Sequence, residues 1–153
     1  MPRRFIFVEP DEKPDIMVLK AGFPADKRNL RVEKGRWVMT IQKLITILDA
    51  QVVWGEDFSL ELHSACGSDM MSDVLAYVKD QSVLLTGMVN PQVVRTAEMM
   101  DMRCIVFVRG KEPDAAMIGL AEEMGIVLLK TRLPMFTACG LLYQQGLRGG
   151  VGA

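Results

Sequence analysis

The residues best placed for chemistry follow the predicted strands of this 153-residue chain. Each of four largely apolar runs is followed by polar, glycine or basic residues. In chain order these are Ser68, Asp69, Thr86, Gly87, Asn90, Arg109, Lys130, Thr131 and Arg132. Backbone N–H groups at a helix start, together with cationic side chains, bind phosphates and other anions. The set therefore predicts an anion or nucleotide site, in which Arg109, Lys130 and Arg132 supply positive charge.

The same residues also suit ordinary helix caps, turns and solvated charges. Thr86-Gly87 lacks the rest of a phosphate-loop or dinucleotide-binding motif. His63 is the only histidine, and it has no cysteine, histidine or acid at ligand spacing, so we predict neither a base nor a metal ligand there. No nucleophile with a base and an orienting group is recognisable. We therefore expect a protein that is not an enzyme and that carries no metal or cofactor.

The elements that must position these residues repeat a strand–loop–helix pattern. Between Ser82 and Thr96 an apolar run leads into Thr86-Gly87, and Asn90-Pro91 then provides a helix N-cap and a proline at the first helical position. We predict strands at 51–54, 60–66, 83–86, 104–108 and 126–129, and helices at 40–49, 70–79, 91–100, 113–125 and 134–146.

The predicted strands 83–86, 104–108 and 126–129 are apolar throughout, which is typical of parallel strands covered on both faces. The pattern therefore predicts an α/β fold, a three-layer sandwich with a small, mostly parallel sheet of four to five strands. In such a sheet, ligands bind outside the carboxyl ends of the strands, where the nine residues above are placed.

Composition excludes several classes of protein. Lys and Arg number 18 against 19 Asp and Glu, so no net charge draws the chain to nucleic acid or to an anionic membrane. No apolar stretch approaches the ~20 residues that cross a bilayer, and no export signal is recognisable. Cys66, Cys104 and Cys139 form no CxxC motif, so we expect buried thiols in a reducing compartment. A soluble cytoplasmic protein fits these observations.

The first 38 residues differ from the rest of the chain. They hold four of the seven prolines, and nine basic and six acidic residues (net +3), whereas residues 39–153 hold nine and thirteen (net −4). For residues 1–38 we therefore predict an N-terminal arm that either forms two short strands, at 5–8 and 16–19, or is poorly ordered. Alternatively, the natural start is Met39, directly before the helix cap Thr40. We predict a domain at 39–148, a flexible tail at 149–153 and a dispensable arm.

The ordered sequence blocks between Gly67 and Gly146 resemble the DRTGG domain family, above all its short stand-alone bacterial members. These blocks read GSDMMSDVLAYV, VLLTGMVNPQVVRTAEMM, IVFVRG, MGIVLLKT and MFTACGLLYQQG. The family is similar in fold to the N-terminal domain of HPr kinase/phosphorylase and occurs beside CBS domains. The resemblance therefore implies a regulatory module, with nucleotide sensing as its role. After Thr86-Gly87 this chain has Met88-Val89-Asn90, which departs from the family's Gly-Asp-Arg type of turn.

The function that follows is a non-catalytic regulatory or ligand-sensing module for a nucleotide or another phosphate-bearing anion. Two alternatives stay open. One is an accessory protein of a redox complex (hydrogenase or NADH-oxidising), because stand-alone members resemble products encoded near such subunits; the other is a small enzyme that uses the same pocket. We also expect a homodimer, formed through helix 70–79 or the last helix around Met135, Phe136 and Tyr143. We further expect a protein partner of redox or kinase type. We expect neither nucleic acid nor a membrane as a partner.

Overall fold

The protein is described by a computed structural model, which covers residues 31–33, 36–77 and 82–150. The predicted strands at 5–8 and 16–19 lie outside these residues. The strands are β1 (Arg31–Glu33), β2 (Arg36–Thr40), β3 (Gln51–Trp54), β4 (Glu61–Leu62), β5 (Ser64–Gly67), β6 (Ser82–Thr86), β7 (Cys104–Phe107) and β8 (Val127–Lys130). The helices are α1 (Ile41–Leu48), α2 (Met71–Tyr77), α3 (Pro91–Met99), α4 (Ala115–Met124) and α5 (Met135–Gln144).

Five strands form the main sheet, in the order β3-β8-β7-β6-β5. Strands β5 to β8 are parallel to their neighbours, and β3 pairs antiparallel with β8 at one side of the sheet. Every residue of β6 and β7 is buried, as parallel strands covered on both faces require. The predicted small, mostly parallel sheet is confirmed.

Helices cover both faces of this sheet. Alternate residues of each strand point to opposite faces, so Val83 and Leu85 pack with α1 and α5, whereas Leu84 packs with α2, α3 and α4. The side chains of β7 and β8 likewise alternate between the two faces of the sheet. The result is a three-layer α/β sandwich with one apolar core on each side of the sheet, as predicted.

The predicted strand at 60–66 is wrong as a single element. The chain changes partner at His63: Leu62 pairs antiparallel with Met39 of β2, whereas Ser64 pairs parallel with Ser82 of β6. Strands β1, β2 and β4 thereby form a second, antiparallel sheet. Alternating apolar residues suit both pairings, so the pattern marks a strand but does not show where it changes sheets.

Residues on both sides of each predicted domain boundary belong to paired β-structure or to hydrogen-bonded backbone. Strand β2 crosses the boundary between residues 38 and 39, and Val38 is buried. At the other end, Gly149 forms a parallel bridge with Ala65, and the Ala65 N–H donates to the Arg148 carbonyl at 2.8 Å. Gly149, the first residue of the predicted tail, thus pairs with the outer side of β5, and residues 151–153 lie outside the described residues.

Candidate functional site

The carboxyl ends of the four parallel strands share one edge of the main sheet, and all nine predicted site residues lie at those ends or shortly after them. The loops after β5, β6, β7 and β8 lead from this edge into α2, α3, α4 and α5. The first residue of β3, Gln51, pairs with Lys130, the last residue of β8. The start of β3 and the end of the preceding α1 therefore lie at the same edge.

A cluster of four of these residues is built around the Asp69 carboxylate. Its Oδ1 accepts hydrogen bonds from the Gly87 N–H at 2.6 Å and from the Thr86 hydroxyl at 3.1 Å. Its Oδ2 pairs with Nη2 of Arg109 at 3.3 Å. We call Asp69, Thr86, Gly87 and Arg109 the Asp69 cluster; it joins the loops after β5, β6 and β7.

Gly87 allows the Arg109 guanidinium to reach the carboxylate. A Cβ atom at position 87 would lie 1.8 Å from Nη2 of Arg109, so no larger residue fits while this side chain stays in place. Arg109 itself has a left-handed backbone (φ +59°), and Gly110 follows with φ +66°. This turn is held by hydrogen bonds from the N–H groups of Arg109 and Gly110 to the carbonyls of Leu133 and Thr131.

Electrostatics in the Asp69 cluster favour the ionised carboxylate. The Gly87 N–H is the largest influence that lowers the pKa of Asp69, and hydrogen bonds from Thr86 and Arg109 lower it further, against the opposing effect of partial burial. Amide, hydroxyl and guanidinium donors are also the groups that bind a phosphate oxygen. In this structure they are engaged by a carboxylate of the protein.

Ser68 and Asn90 act as local caps at the same edge. The Ser68 hydroxyl accepts from the Met70 N–H at 3.0 Å, which closes the turn into α2. The Asn90 side chain accepts from the Gln92 N–H at 2.8 Å and is the N-cap of α3, with Pro91 at the first helical position. Both contacts are typical of turns and helix starts.

Next to the Asp69 cluster, an open cleft of about 550 Å³ lies at the same edge. It is lined by Leu48, Asp49, Gln51, Gly110, Glu112, Lys130, Thr131, Arg132 and Leu133. These residues come from the end of α1, the start of β3 and the loops after β7 and β8. We call this space the strand-end cleft.

Three interactions fix the walls of the strand-end cleft. The Thr131 hydroxyl donates to the Leu48 carbonyl at 2.8 Å and accepts from the Leu133 N–H, so the loop after β8 is tied to the end of α1. The Lys130 ammonium forms an ion pair with Glu112, which joins the end of β8 to the loop after β7. This pairing lowers the pKa of Glu112.

Arg132 is the cation of the cleft without an ion pair among the residues that the structure describes. Its side chain is exposed, and its neighbours along the cleft include both acids, Asp49 and Glu112. The structure therefore sorts the predicted residues into two groups. Asp69, Thr86, Gly87 and Arg109 meet in one; Lys130, Thr131 and Arg132 line the other; Ser68 and Asn90 cap the adjoining turns.

Several lining residues of the cleft were not predicted from the sequence. Leu48, Asp49 and Gln51 reach this edge because Asp49 ends α1 in a left-handed conformation (φ 46°) and β3 then pairs antiparallel with β8. An antiparallel position for 51–54 would have placed Gln51 beside Lys130. Glu112 carries a weaker signal, since it is an acid in a loop that faces predicted basic residues.

Other candidate chemistry is limited in the described part of the chain. Cys104 is buried, Cys66 and Cys139 are half-buried, and burial raises the pKa of all three thiols. Among residues 31–33, 36–77 and 82–150, no group of three or more His, Cys, Asp or Glu side chains is arranged to hold a metal ion. Across the same ranges, no helix has the length and apolar character needed to span a membrane.

Comparison with known proteins agrees with this architecture. The family model of the DRTGG domain matches residues 43–144, which is about two thirds of the chain. The chain belongs to the DRTGG domain family. The match includes the Asp69 cluster and the strand-end cleft, and no curated protein matches the chain.

The fold of this DRTGG domain is similar to a solved regulatory structure. That structure comprises the CBS and DRTGG domains of the regulatory region of Clostridium perfringens pyrophosphatase, complexed with its activator, diadenosine tetraphosphate. The TM-score is 0.61 at 15% sequence identity, over 74% of this chain and 50% of the other. This chain therefore corresponds to half of that regulatory region, and the likeness concerns the fold.

Proposed function

We propose that this DRTGG domain is a non-catalytic regulatory module that senses a nucleotide or another phosphate-bearing anion in the strand-end cleft. The observation that carries the proposal is a cleft of ligand size with a guanidinium at its wall, that of Arg132, which has no ion pair within the described part of the chain. Pockets of roughly 300–1,000 Å³ are typical for small molecules, and the carboxyl edge of a parallel sheet is their usual place. The activator held by the pyrophosphatase regulatory region supports a nucleotide as the class of ligand.

The charges of the cleft suit binding better than proton transfer. Glu112 has a lowered pKa because of Lys130, so it is ionised near neutral pH, whereas a general base works best with a pKa near the working pH. The hydroxyl of Thr131 is already engaged with Leu48 and Leu133, so it is not poised as a nucleophile. The cleft thus offers cations to a phosphate, and neither of these two residues is activated as a base or a nucleophile.

Binding would be coupled to a change in the loop after β7. A phosphate at Arg132 competes with Glu112 for the Lys130 ammonium, and the Glu112–Lys130 ion pair is the side-chain contact that joins this loop to the end of β8. Its release frees Glu112. The adjacent Arg109-Gly110 turn leads from the same loop to the Asp69 cluster. This gives the ligand a physical route to alter the surface at the carboxyl edge.

Calorimetry and thermal shift on the full chain test the proposal. The probes are ATP, diadenosine tetraphosphate, inorganic tripolyphosphate and adenosine. A ligand that binds the native state alone raises the melting temperature by mass action. We expect at least one phosphate-bearing probe to bind, and Arg132→Ala to weaken that binding by roughly tenfold or more, because a charge-assisted contact is lost. Tripolyphosphate and adenosine separate recognition of phosphate from recognition of the base.

Two further variants sharpen this test. Glu112→Gln removes the competitor for Lys130, so we expect roughly two- to fivefold tighter binding. Arg103→Ala is the matched control, because Arg103 precedes β7 at the opposite edge and pairs with Asp101. Its affinity should equal that of the unmodified chain. Absence of binding by all four probes, or equal loss in the Arg132 and Arg103 variants, contradicts the proposed site.

A further inference from the structure

Helix α5 carries an apolar surface that nothing in the described chain covers. Phe136 is 90% exposed and Tyr143 is 55% exposed. The fifteen residues 133–147 include no charged side chain, although charged residues make up 24% of the whole chain. By contrast, the exposed faces of α3 and α4 carry charges, with Arg95 and Glu98 on the first and Glu122 and Glu123 on the second.

Gly140, in the middle of α5, lies between these two aromatic side chains. Glycine is a poor residue for a helix interior, where it is destabilising relative to alanine. A Cβ atom at position 140 would meet nothing within 4 Å, so no neighbour within the described chain requires glycine. Within the described residues, the space beside Gly140 is therefore an open notch on the exposed face of α5.

Phe136, Gly140 and Tyr143 lie along one stripe of the helix. Residues three and four apart share a helix face, so the ring of Phe136 precedes the notch and the ring of Tyr143 follows it. At a rise of about 1.5 Å per residue, Phe136 lies roughly 6 Å before Gly140 and Tyr143 roughly 4.5 Å after it. The two aromatic residues thus lie at similar distances from the notch, one on either side of it. The Tyr143 ring is further held by the Arg148 guanidinium, 4.0 Å from its centroid.

We propose that α5 packs against α5 of a second copy of this chain, antiparallel across a two-fold axis at Gly140. Such an axis brings the two notches together, and the missing side chains allow a close approach of the helices. It also places Phe136 of one copy against Tyr143 of the other, because their distances from the axis differ by about one residue rise. Offset or edge-on aromatic pairs of this kind are favourable.

The charge distribution favours a second copy as the occupant. At a two-fold axis each residue faces its own counterpart or a close neighbour, so a charged face would repel itself. Residues 133–147 contain no charged side chain, and the one charge placed at this face, the Arg148 guanidinium on the Tyr143 ring, would meet Phe136 of the second copy rather than its own counterpart, so this cost is avoided. The face of α5 also supplies both the aromatic rings and the space that receives the partner helix. A single surface is thus complementary to itself, as an interface between identical chains requires.

Light scattering coupled to size exclusion, with sedimentation velocity, tests the proposal on the full chain. We expect a dimer at micromolar concentration. Phe136→Lys and Gly140→Arg should each shift the protein to the monomer, the first by placing charge on the stripe and the second by filling the notch. Since Phe136 is almost fully exposed, its replacement leaves the core intact, and a melting curve for each variant verifies that it is folded.

Gly119→Arg is the matched control. Gly119 also lies inside a helix, α4, and a Cβ there also meets nothing within 4 Å, but no exposed aromatic residues flank it. This variant should stay a dimer. A monomeric unmodified chain, a dimer that persists in folded Phe136→Lys, or equal dissociation by Gly119→Arg and Gly140→Arg overturns the proposal. This result is independent of ligand binding in the strand-end cleft.

Discussion

At the scale of the residue, the Asp69 carboxylate gathers the donors that an anion site would use. The Gly87 N–H, the Thr86 hydroxyl and the Arg109 guanidinium all point to its two oxygens. An anion that enters this cluster must therefore compete with a carboxylate already in place, whereas Arg132 in the strand-end cleft has no such competitor in the described chain. This difference is why we assign the ligand to the cleft and a structural role to Asp69.

The Asp69 cluster makes stability depend on pH in the acid range. The pKa of Asp69 is lowered in the folded state, so its contribution is present above the pKa of the unfolded chain, about 3.9, and is lost as the pH falls through the lower, folded value. We expect Asp69→Asn to lower the free energy of unfolding near pH 7. The difference from the unmodified chain should shrink as the pH falls below about 4.

Urea denaturation between pH 7 and the acid range measures this difference. Glu98→Gln serves as the control, because Glu98 is an exposed carboxyl residue on α3. The control should follow the unmodified chain at each pH. A gap between Asp69→Asn and the unmodified chain that stays constant into strong acid would contradict the role of the ionised carboxylate.

At the scale of the element, α3 shows how a predicted site residue serves the fold. Asn90 caps the helix through the Gln92 N–H, and we expect Asn90→Ala to lower the free energy of unfolding by about 1 kcal/mol, the usual cost of losing such a cap. Ligand binding in the strand-end cleft should not change, because Asn90 is not among its lining residues. Thermal melting and calorimetry measure the two effects.

Asn90→Ser separates the cap from other roles of the side chain. Serine can accept from the same N–H group, so this variant should recover most of the stability that alanine loses. If Asn90 contacts a ligand instead, both variants lose affinity and the serine variant recovers little of it. That outcome would return Asn90 to the binding site.

The parts of the fold that could be predicted are those with strong local signals. Asn90-Pro91 marks the start of α3 in both sequence and structure, and Thr40 likewise caps α1 by accepting from the Lys43 N–H. Strands β6 and β7 are short, largely apolar runs joined by a helix, a pattern that favours parallel strands in one sheet. Pairing across the chain was harder: the change of partner at His63 and the antiparallel position of β3 depend on contacts distant in sequence.

The candidate site divides along the same line. Its residues at the ends of β5 to β8 could be named from the sequence, because parallel strands place them at one edge. Their partners could not, since the pairing of Lys130 with Glu112 and the opposition of Gln51 to Lys130 result from how loops and an edge strand pack. The residue types at the strand ends therefore predicted which edge of the main sheet carries the candidate site, but not the residues that complete the lining of the cleft.

At the scale of the whole molecule, the small antiparallel sheet connects the chain before residue 39 to the main fold. Strand β2 pairs with β4 through Met39 and Leu62, and it leads directly into α1. The first N–H groups of α1 then donate to the carbonyls of Leu60 and Phe58 at 3.0 and 2.9 Å. The start of α1 is thus held by β2, which leads into it, and by the segment just before β4, and the end of α1 supplies one wall of the strand-end cleft.

A comparison of chains that start at residues 1, 31 and 39 tests how far the fold extends toward the N-terminus. The chain 39–153 lacks β1, three residues of β2 and the buried Val38 side chain. We expect it to lose about 2–4 kcal/mol relative to 31–153, from the apolar burial and the ladder hydrogen bonds. For a domain of this size, that loss lowers the melting temperature by roughly 5–20 °C. Val38→Ala in the full chain separates the side-chain share. Equal melting of 39–153 and 31–153 would instead support the arm, 1–38, as a dispensable appendage.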